Sequence, residues 1–519
     1  MPQHLERNTR TISLLTLVSR CTGLVRDGAI SRIFGAGGLS SSLYFAIMIP
    51  NLFRRLFGEG ALSAAFLPVY TELERDDPAV AKSLASLLMA SLAIVLGIIV
   101  ILGEIVLASL VAMQDEPSEA LWLAMITLPY APLICIVAML SAMLHVHNRF
   151  GAPAAAPIIL NGSMITAVLG WHLYDGAPTR LAIGIVAASV VVGGVLQVLW
   201  CLHALRGTSW WTRTMAPASA AMRKVVRRTL PMIVGIGTLQ LNTLIDGGIA
   251  SWPLLFGDTI GGVLYPLQDG AMASLSFAQR LYQFPLGVFG IAVATAAFPM
   301  LARQAKNPDA FADTLRRGLR LVVFIGLPAG AGLILVREPL AAAVFQGGFF
   351  SAADTAEVGW ILLGYAPAIW AYSMTQILVR AFYAKDDAAR PVRVAMGVVA
   401  LNLLLNMTLI WTPLRTAGLA WSTAICAVVQ VSILLRMVRR HVDDPVDASV
   451  LGSWARSAIA TAIMGGMVAI VGLFVWNDGG TWGQSVVALL IMAATGMASF
   501  AIVGALLGMR ELGWLIRGR

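Results

Sequence analysis

Apolar residues run in long stretches along this chain, and short polar or Pro/Gly-containing connections separate them. Each stretch is long enough to cross the hydrocarbon core of a bilayer, which takes about 20 helical residues. The pattern predicts fourteen transmembrane helices, over residues 11–34, 39–70, 83–112, 120–145, 154–174, 180–205, 228–255, 269–302, 314–336, 355–383, 392–411, 415–436, 453–476 and 482–508. The predicted fold class is therefore an all-α polytopic membrane protein.

Composition agrees with this prediction. Of 519 residues, 58% are hydrophobic and only 12% are charged, whereas soluble domains carry about 25% charged residues. The chain has too little polar surface for a soluble multidomain enzyme, a disordered chain or a free nucleic-acid binder. We therefore interpret the net charge of +9 as a consequence of membrane topology rather than of nucleic-acid binding.

The distribution of charge predicts the orientation. Most of the 36 Lys and Arg residues fall in alternate connections and at the two termini, whereas the opposite connections hold only Arg180, Arg337 and Arg415. Basic residues concentrate on the cytoplasmic side of membrane proteins. Both termini are therefore predicted to lie in the cytoplasm, which requires an even number of spans.

An internal repeat divides the predicted helices. Ser42-Leu43-x-Phe45-Ala46 returns as Ser274-Leu275-x-Phe277-Ala278, and Ala64-Ala65-Phe66 returns at the same spacing as Ala296-Ala297-Phe298. The copies lie six helices apart and so run in the same direction. Parallel repeats of this kind are typical of transporters, with the substrate held between the halves. We predict six-helix lobes at residues 1–224 and 225–440, and an appended pair of helices at 441–519.

Several arginines fall inside the predicted spans, where a charge costs at least a few kcal/mol unless it faces water or a partner. At 1.5 Å per residue, Arg20 lies about 14 Å into the first helix and Arg280 about 16 Å into the eighth, near the midplane. Arg54, about 22 Å from the outer start of the second helix and next to Arg55, lies somewhat nearer the cytoplasm, and Arg26 lies nearer the outside.

Intramembrane acids are fewer, and they are Asp27, Glu59, Glu104 and Asp246. Asp27 lies seven residues after Arg20, on nearly the same face of the helix, and is expected to orient the Arg20 side chain. The surplus of arginine favours an aqueous cavity for an anionic substrate, because the planar guanidinium fork matches phosphate or carboxylate. The alternative is a set of buried Arg–acid pairs that hold helices together.

A second polar set comprises Asp246 in the seventh predicted helix, Asn402 and Asn406 in the eleventh and Thr423 in the twelfth. Their oxygens could coordinate a small cation or bond helix to helix, and we favour the latter. No metal site is firmly assigned, and no cofactor is predicted. The chain carries neither a phosphate-binding loop nor a nucleophile–base set, so no enzymatic activity is predicted.

At these same positions the sequence resembles the MurJ (MviN) lipid II flippases. The shared motifs are Ser19-Arg20-x-x-Gly23-x-x-Arg26-Asp27, Phe34-Gly35-Ala36-Gly37, Pro50-Asn51-Leu52-Phe53-Arg54-Arg55-Leu56-Phe57-x-Glu59-Gly60, Phe66-x-Pro68 and Arg280-Leu281-x-x-Phe284-Pro285. The resemblance implies a multi-pass protein of the bacterial inner membrane, within the multidrug/oligosaccharidyl-lipid/polysaccharide exporter superfamily. It also implies movement of the lipid-linked peptidoglycan precursor to the outer leaflet by alternating access.

The resemblance assigns substrate binding to Arg20, Arg26, Arg54 and Arg280, supported by Asp27, Arg55, Glu59, Gln279 and Gln283. It assigns the undecaprenyl tail to a groove on the appended helices 13 and 14. The expected partners are lipid II and membrane lipids, with peptidoglycan-synthesis proteins as further candidates, and a monomer is expected. Many family members have an acid at the positions of Ser41, Gln279 and Gln283, which makes the surroundings of Arg280 neutral here.

Three rival functions follow from the same features. A multidrug antiporter would favour acids in its cavity and usually twelve helices, and an O-antigen-type flippase would share the lipid-diphosphate chemistry. A membrane scaffold would use the arginines for structure alone. The energy source is left open among the membrane potential, a proton and a sodium ion, with Asp246 as the one lead.

Overall fold

The computed structural model describes residues 2–58, 60–114, 118–287 and 291–517. Within these residues the regular structure is helical apart from one two-stranded hairpin, so the prediction of an all-α fold class is confirmed. Backbone contacts divide the chain into two compact units, Met1–Ala273 and Ser274–Arg519. The lobes predicted at 1–224 and 225–440, and the appended pair at 441–519, stay predictions.

The first unit contains ten helices, a π-helical turn, a 3-10 turn and the hairpin. They are α1 (Pro2–Phe34), α2 (Gly38–Phe53), the π-helical turn (Arg54–Gly58), α3 (Ala61–Asp76), α4 (Pro78–Ala112), α5 (Glu119–Thr127), α6 (Tyr130–Val146), α7 (Gly151–Tyr174), α8 (Arg180–Ala204), the 3-10 turn (Ala216–Ala218), α9 (Ser219–Ala250), α10 (Trp252–Phe256), β1 (Thr259–Ile260) and β2 (Val263–Leu264). The strands are antiparallel with Thr259 opposite Leu264. Gly261 and Gly262 between them have φ of 57° and 82°, as a two-residue hairpin turn requires.

Helix α11 (Ala271–Pro285) begins in the first unit and continues into the second. The remaining helices are α12 (Ile291–Arg303), α13 (Pro308–Leu335), α14 (Arg337–Phe345), α15 (Ala352–Tyr365), α16 (Ala368–Ala384), α17 (Ala389–Leu409), α18 (Ala417–Val438), α19 (Ala448–Val475), α20 (Trp482–Leu506) and α21 (Arg510–Arg517). The hairpin, α14 and α21 were outside the predicted segments.

All fourteen predicted segments coincide with helical stretches. Among the described residues, nine helices are long and apolar enough to cross a membrane, and α15 with α16 forms a tenth that is bent by 41°. The count of fourteen stays a prediction. The remaining predicted segments correspond to α1, α2–α3, α9 and α11–α12. The helices α2, α3, α11 and α12 have 16, 16, 15 and 13 residues, so each is too short to cross a bilayer alone.

Several spans predicted as continuous are broken in the structure. The segment 39–70 consists of α2, the π-helical turn and α3, and Pro367 separates α15 from α16. Proline lacks the N–H that a helix needs at its interior positions, and a π-helical turn interrupts the regular hydrogen-bond ladder. The pattern of apolar residues in the sequence indicates neither kind of break, because apolar residues continue through both.

The break in α2–α3 recurs at the corresponding place in the repeat. Residues 286–287 are also π-helical and directly follow α11, as Arg54 directly follows α2. The repeated sequence therefore forms the same local structure twice within the described residues.

The core of the first unit is built mainly on α2 to α8. Its largest fully buried side chains include Phe66, Tyr70 and Tyr130. Close helix contact depends on glycine: a Cβ on Gly194 would lie 2.6 Å from the ring of Tyr130. In the second unit, Phe324, Ala460 and Met509 form a smaller cluster that joins α13, α19 and the segment after α20.

Candidate functional site: the intramembrane arginines

Arg26 on α1 is held by an acid and an amide. Its Nε and Nη2 donate to Asp27 Oδ1 at 2.9 and 2.6 Å, and its Nη1 donates to Asn161 Oδ1 on α7 at 3.0 Å. The Arg26 side chain is 12% exposed and that of Asp27 is 2% exposed. The hydroxyl of Tyr44 on α2 also donates to Asp27 Oδ1, at 3.4 Å. Asp27, which was expected to orient Arg20, therefore pairs with its own neighbour in sequence.

Arg20 lies on α1 with its side chain exposed. Within the described part of the chain no hydrogen bond or ion pair of this guanidinium is recorded. The backbone beside it is fixed, since the carbonyl of Ser19 accepts from Thr22 Oγ1 at 3.0 Å and from Asn161 Nδ2 at 3.2 Å. α1 thus carries one guanidinium that is firmly held and one that is open to a ligand.

The π-helical turn presents Arg54 and Arg55 in different directions. Arg54 Nε donates to Asn51 Oδ1, in the last turn of α2, at 3.3 Å. Arg55 Nη1 donates to Gln240 Oε1 at 3.0 Å and to Thr243 Oγ1 at 3.4 Å, both on α9. π-helical turns frequently mark functional sites in helices. The predicted supporting residue Glu59 lies outside the described residues.

Ser41 occupies a position where many relatives are expected to have an acid. Its buried hydroxyl accepts the backbone N–H of Ala273 at 3.0 Å. Ala273 lies in the first turn of α11, where N–H groups lack partners within the helix. Ser41 therefore satisfies this donor as a neutral group.

In the second unit, Arg280 lies on α11 with its side chain exposed. The predicted supporting residue Gln279 donates through Nε2 to the hydroxyl of Tyr365 at 2.9 Å. Tyr282 stacks on Tyr365, with ring centroids 5.0 Å apart. Gln283 is exposed on the same helix. Gln279 thus anchors α11 to α15 with an amide.

The candidate cation residues divide between the two units. Asp246 on α9 is 7% exposed in the first unit. In the second unit, Asn406 Nδ2 donates to Asn402 Oδ1 at 3.1 Å, Asn402 Nδ2 donates to Ser422 Oγ at 3.2 Å, and Ser422 donates to Asn406. Thr423 donates to the carbonyl of Leu419. This buried network joins α17 to α18, which agrees with bonding between helices, and the cation site stays a prediction.

The sequence did not indicate which polar side chains orient the arginines. Asn161, Gln240 and Thr243 are polar residues within helices, and polar side chains at membrane depth tend to have functional partners. This signal was present, but Asn161 is 135 residues away from Arg26, and Gln240 is 185 residues away from Arg55. A single sequence does not pair residues at such separations.

Neutral acceptors contribute to the orientation of Arg26, Arg54 and Arg55. The side chains of Asn51, Asn161, Gln240 and Thr243 accept from these guanidinium groups and, unlike a carboxylate, add no negative charge of their own. An oriented guanidinium in a region of low dielectric binds phosphate oxygens through charge-assisted hydrogen bonds. The site is therefore suited to an anion with several oxygens.

Comparison with known proteins gives a consistent result. The family described as "Lipid II flippase MurJ" matches residues 30–491. A "Probable lipid II flippase MurJ" of Vibrio cholerae is 30% identical and covers 96% of this chain and 95% of its own length. A protein of the same description from Rhizobium tropici is 31% identical over 98% of this chain and 95% of its own length.

Solved structures show the same fold. The structure titled "Lipid II flippase MurJ, inward closed conformation" superposes with a TM-score of 0.75 at 22% identity, over 95% of this chain and 98% of that one. An inward-facing multidrug resistance transporter of the MATE family superposes with a TM-score of 0.67 at 14% identity, over 84% of this chain and 99% of that one. The chain belongs to the MurJ family of lipid II flippases.

Proposed function

We propose that this protein moves lipid II, the undecaprenyl-diphosphate-linked disaccharide-peptide, from the cytoplasmic to the outer leaflet of the bacterial inner membrane. Family membership over residues 30–491 supports the substrate. The observation that carries the proposal is the set of oriented intramembrane arginines, because the diphosphate is the charged group that must enter the membrane. Substrate movement supplies the building block for peptidoglycan and hence for cell-wall growth.

In this proposal Arg20, Arg26, Arg54 and Arg280 each bind diphosphate oxygens. Arg20 and Arg280 have exposed side chains at predicted midplane depth, and Arg26 and Arg54 are oriented by amides. Asp27, Arg55, Gln279 and Gln283 support them, and Glu59 is assigned the same role from the resemblance. Arginine suits this task because its planar fork presents several N–H donors to phosphate oxygens.

We propose that transport proceeds by alternating access, in which the arginines face first the cytoplasm and then the periplasm. The breaks at the π-helical turn and at Pro367 are places where a helix bends at low cost. Such a cycle binds and releases the substrate without making or breaking covalent bonds, so no enzymatic step is included. The appended helices α19 and α20 are assigned to the polyprenyl tail.

The chain is a multi-pass membrane protein, and its fold is shared with multidrug transporters. The fold alone therefore does not distinguish a flippase from a drug exporter. The charge of the binding site is the feature that distinguishes them. Oriented arginines favour an anionic lipid over a cationic drug. We further propose that the protein acts as a monomer, with the membrane potential or a coupling ion as its energy source.

Complementation tests this function. Cells depleted of their own lipid II flippase should grow when they express this chain, and Arg20→Ala, Arg54→Ala and Arg280→Ala should each fail to restore growth at equal membrane abundance. Arg75→Ala is the matched control, because Arg75 lies at the end of α3 with an 80% exposed side chain. Growth of all three variants at the rate of the control would exclude a substrate role for these arginines.

A further inference from the structure

Asn161 lies within α7 and is 6% exposed. Its side chain forms three hydrogen bonds, all to α1. Oδ1 accepts from Arg26 Nη1 at 3.0 Å, and Nδ2 donates to Thr22 Oγ1 at 3.1 Å and to the carbonyl of Ser19 at 3.2 Å. One amide on α7 thus fixes both the backbone beside Arg20 and the guanidinium of Arg26.

These contacts and those with Asp27 use only some of the N–H donors of the Arg26 guanidinium. Three of its N–H groups are engaged, two by Asp27 and one by Asn161. A guanidinium has five N–H donors, so one N–H remains on each terminal nitrogen as far as the described residues show. Those two groups are available to phosphate oxygens only while Asp27 and Asn161 hold the rest of the group in place.

The neutrality of Asn161 matters as much as its position. Asp27 already places one negative charge against Arg26, at 2.6 Å. A second carboxylate at position 161 would leave the local group with a net negative charge and would repel a diphosphate. An amide supplies the same acceptor geometry without that charge.

We propose that Asn161 is a positioning residue for substrate binding, which acts by orienting Arg26 towards the diphosphate. The inference rests on the proposed role of Arg26 as a diphosphate ligand. Asn161 itself does not contact the substrate. Its effect on affinity must therefore depend on the presence of Arg26, and this dependence distinguishes it from a residue that only packs α7 against α1.

A double-mutant cycle measures the dependence. The affinity of the purified full chain for lipid II is determined in detergent for wild type, Asn161→Ala, Arg26→Ala and the double variant. We expect Asn161→Ala to weaken binding about tenfold, the loss of one hydrogen bond to a charged group. Arg26→Ala should weaken it further, and the double variant should match Arg26→Ala alone. Ser163→Ala is the control, because Ser163 on the same helix bonds to Ser189 on α8.

Asn161→Leu provides a second test if the alanine variant does not fold, because leucine has a similar side-chain shape, removes the amide and adds no charge. It should also bind lipid II more weakly than wild type, and that loss should disappear in the Arg26→Ala background. An equal loss with and without Arg26, or no loss in either Asn161 variant, would overturn the positioning role. Unchanged affinity of Arg26→Ala alone would instead refute the proposed role of Arg26, so the two failures are distinguishable.

Discussion

The functional character of single residues depends on what accepts their hydrogen bonds. Arg26 and Arg55 both lie within predicted membrane-spanning segments. Arg26 donates to a carboxylate and an amide, and the contacts of Arg55 include an amide and a hydroxyl. The sequence predicts the depth of each arginine from its position along a helix, and this depth stays a prediction. It did not predict their acceptors, because rotamer and helix packing decide which of the distant amides comes within reach.

The first prediction at this scale concerns Arg20. If the planar fork binds diphosphate, Arg20→Lys should retain part of the affinity for lipid II and Arg20→Gln should lose more, since lysine keeps the charge but not the bidentate geometry. We expect affinities about tenfold apart, as for one charge-assisted hydrogen bond, measured by titration with lipid II in detergent. Equal affinity of Arg20→Lys and wild type would show that charge alone is sufficient.

A second prediction concerns Gly270, which directly precedes α11. A Cβ at this position would lie 2.3 Å from the carbonyl oxygen of Ala36, a backbone atom that cannot rotate away. Gly270→Ala should destabilise the protein by roughly 1–3 kcal/mol and lower its unfolding temperature. Gly248→Ala is the control, since nothing lies within 4 Å of the corresponding Cβ. Equal unfolding temperatures for the two variants would contradict the close approach.

At the scale of secondary-structure elements, the pattern of apolar residues predicted where the helices lie but not where they are interrupted. The segment 39–70 is one apolar stretch in sequence and three elements in the structure. Membrane helices tolerate Pro and Gly, so these residues do not by themselves predict a break. Helix α21 was missed for a different reason: its eight residues are too few for a span, and its role depends on contacts with α13 and α19.

These contacts form a buried ion pair at the end of the chain. Glu511 on α21 accepts from Arg320 Nε on α13 and from Ser453 Oγ on α19, both at 2.7 Å. The guanidinium of Arg320 also lies 5.0 Å from the ring of Trp514. Glu511 is 1% exposed. The ion pair thus fastens the last helix to two others of the second unit.

The ion pair predicts a pH dependence of stability. Burial raises the pKa of Glu511, but hydrogen bonds from Ser453, the backbone and Arg320, with the charge of Arg320, outweigh it, so the net pKa lies below its usual range. Because the pKa of Glu511 is lower in the folded state, its ionised carboxylate stabilises the fold at pH values above the ordinary glutamate pKa of about 4.3. This contribution is lost as the pH falls through the lowered pKa of the folded state.

Glu511→Gln should therefore lower stability near neutral pH by about 3 kcal/mol, because Arg320 loses its counter-charge. The difference between wild type and Glu511→Gln should shrink as the pH falls below about 4. Thermal unfolding in detergent across this pH range provides the measurement. A difference that is constant with pH would mean that the carboxylate does not stabilise the fold by its charge.

On the scale of the whole molecule, few residues are charged, and the basic ones are distributed unevenly between the connections and the predicted spans. Most basic residues lie outside the predicted spans, where they are expected to determine orientation. A few lie within the predicted spans, where an uncompensated charge is costly. The fold itself is shared with multidrug transporters that superpose at a TM-score of 0.67. In the proposed function, the specificity for an anionic lipid therefore comes from the intramembrane arginines rather than from the fold.

The most direct test of this claim follows lipid II between leaflets in spheroplasts whose only lipid II flippase is this chain. We predict that wild type and Arg75→Ala expose lipid II at the outer surface. Arg20→Ala, at equal abundance, should leave lipid II inaccessible from outside. Exposure by Arg20→Ala at the wild-type rate would contradict the account.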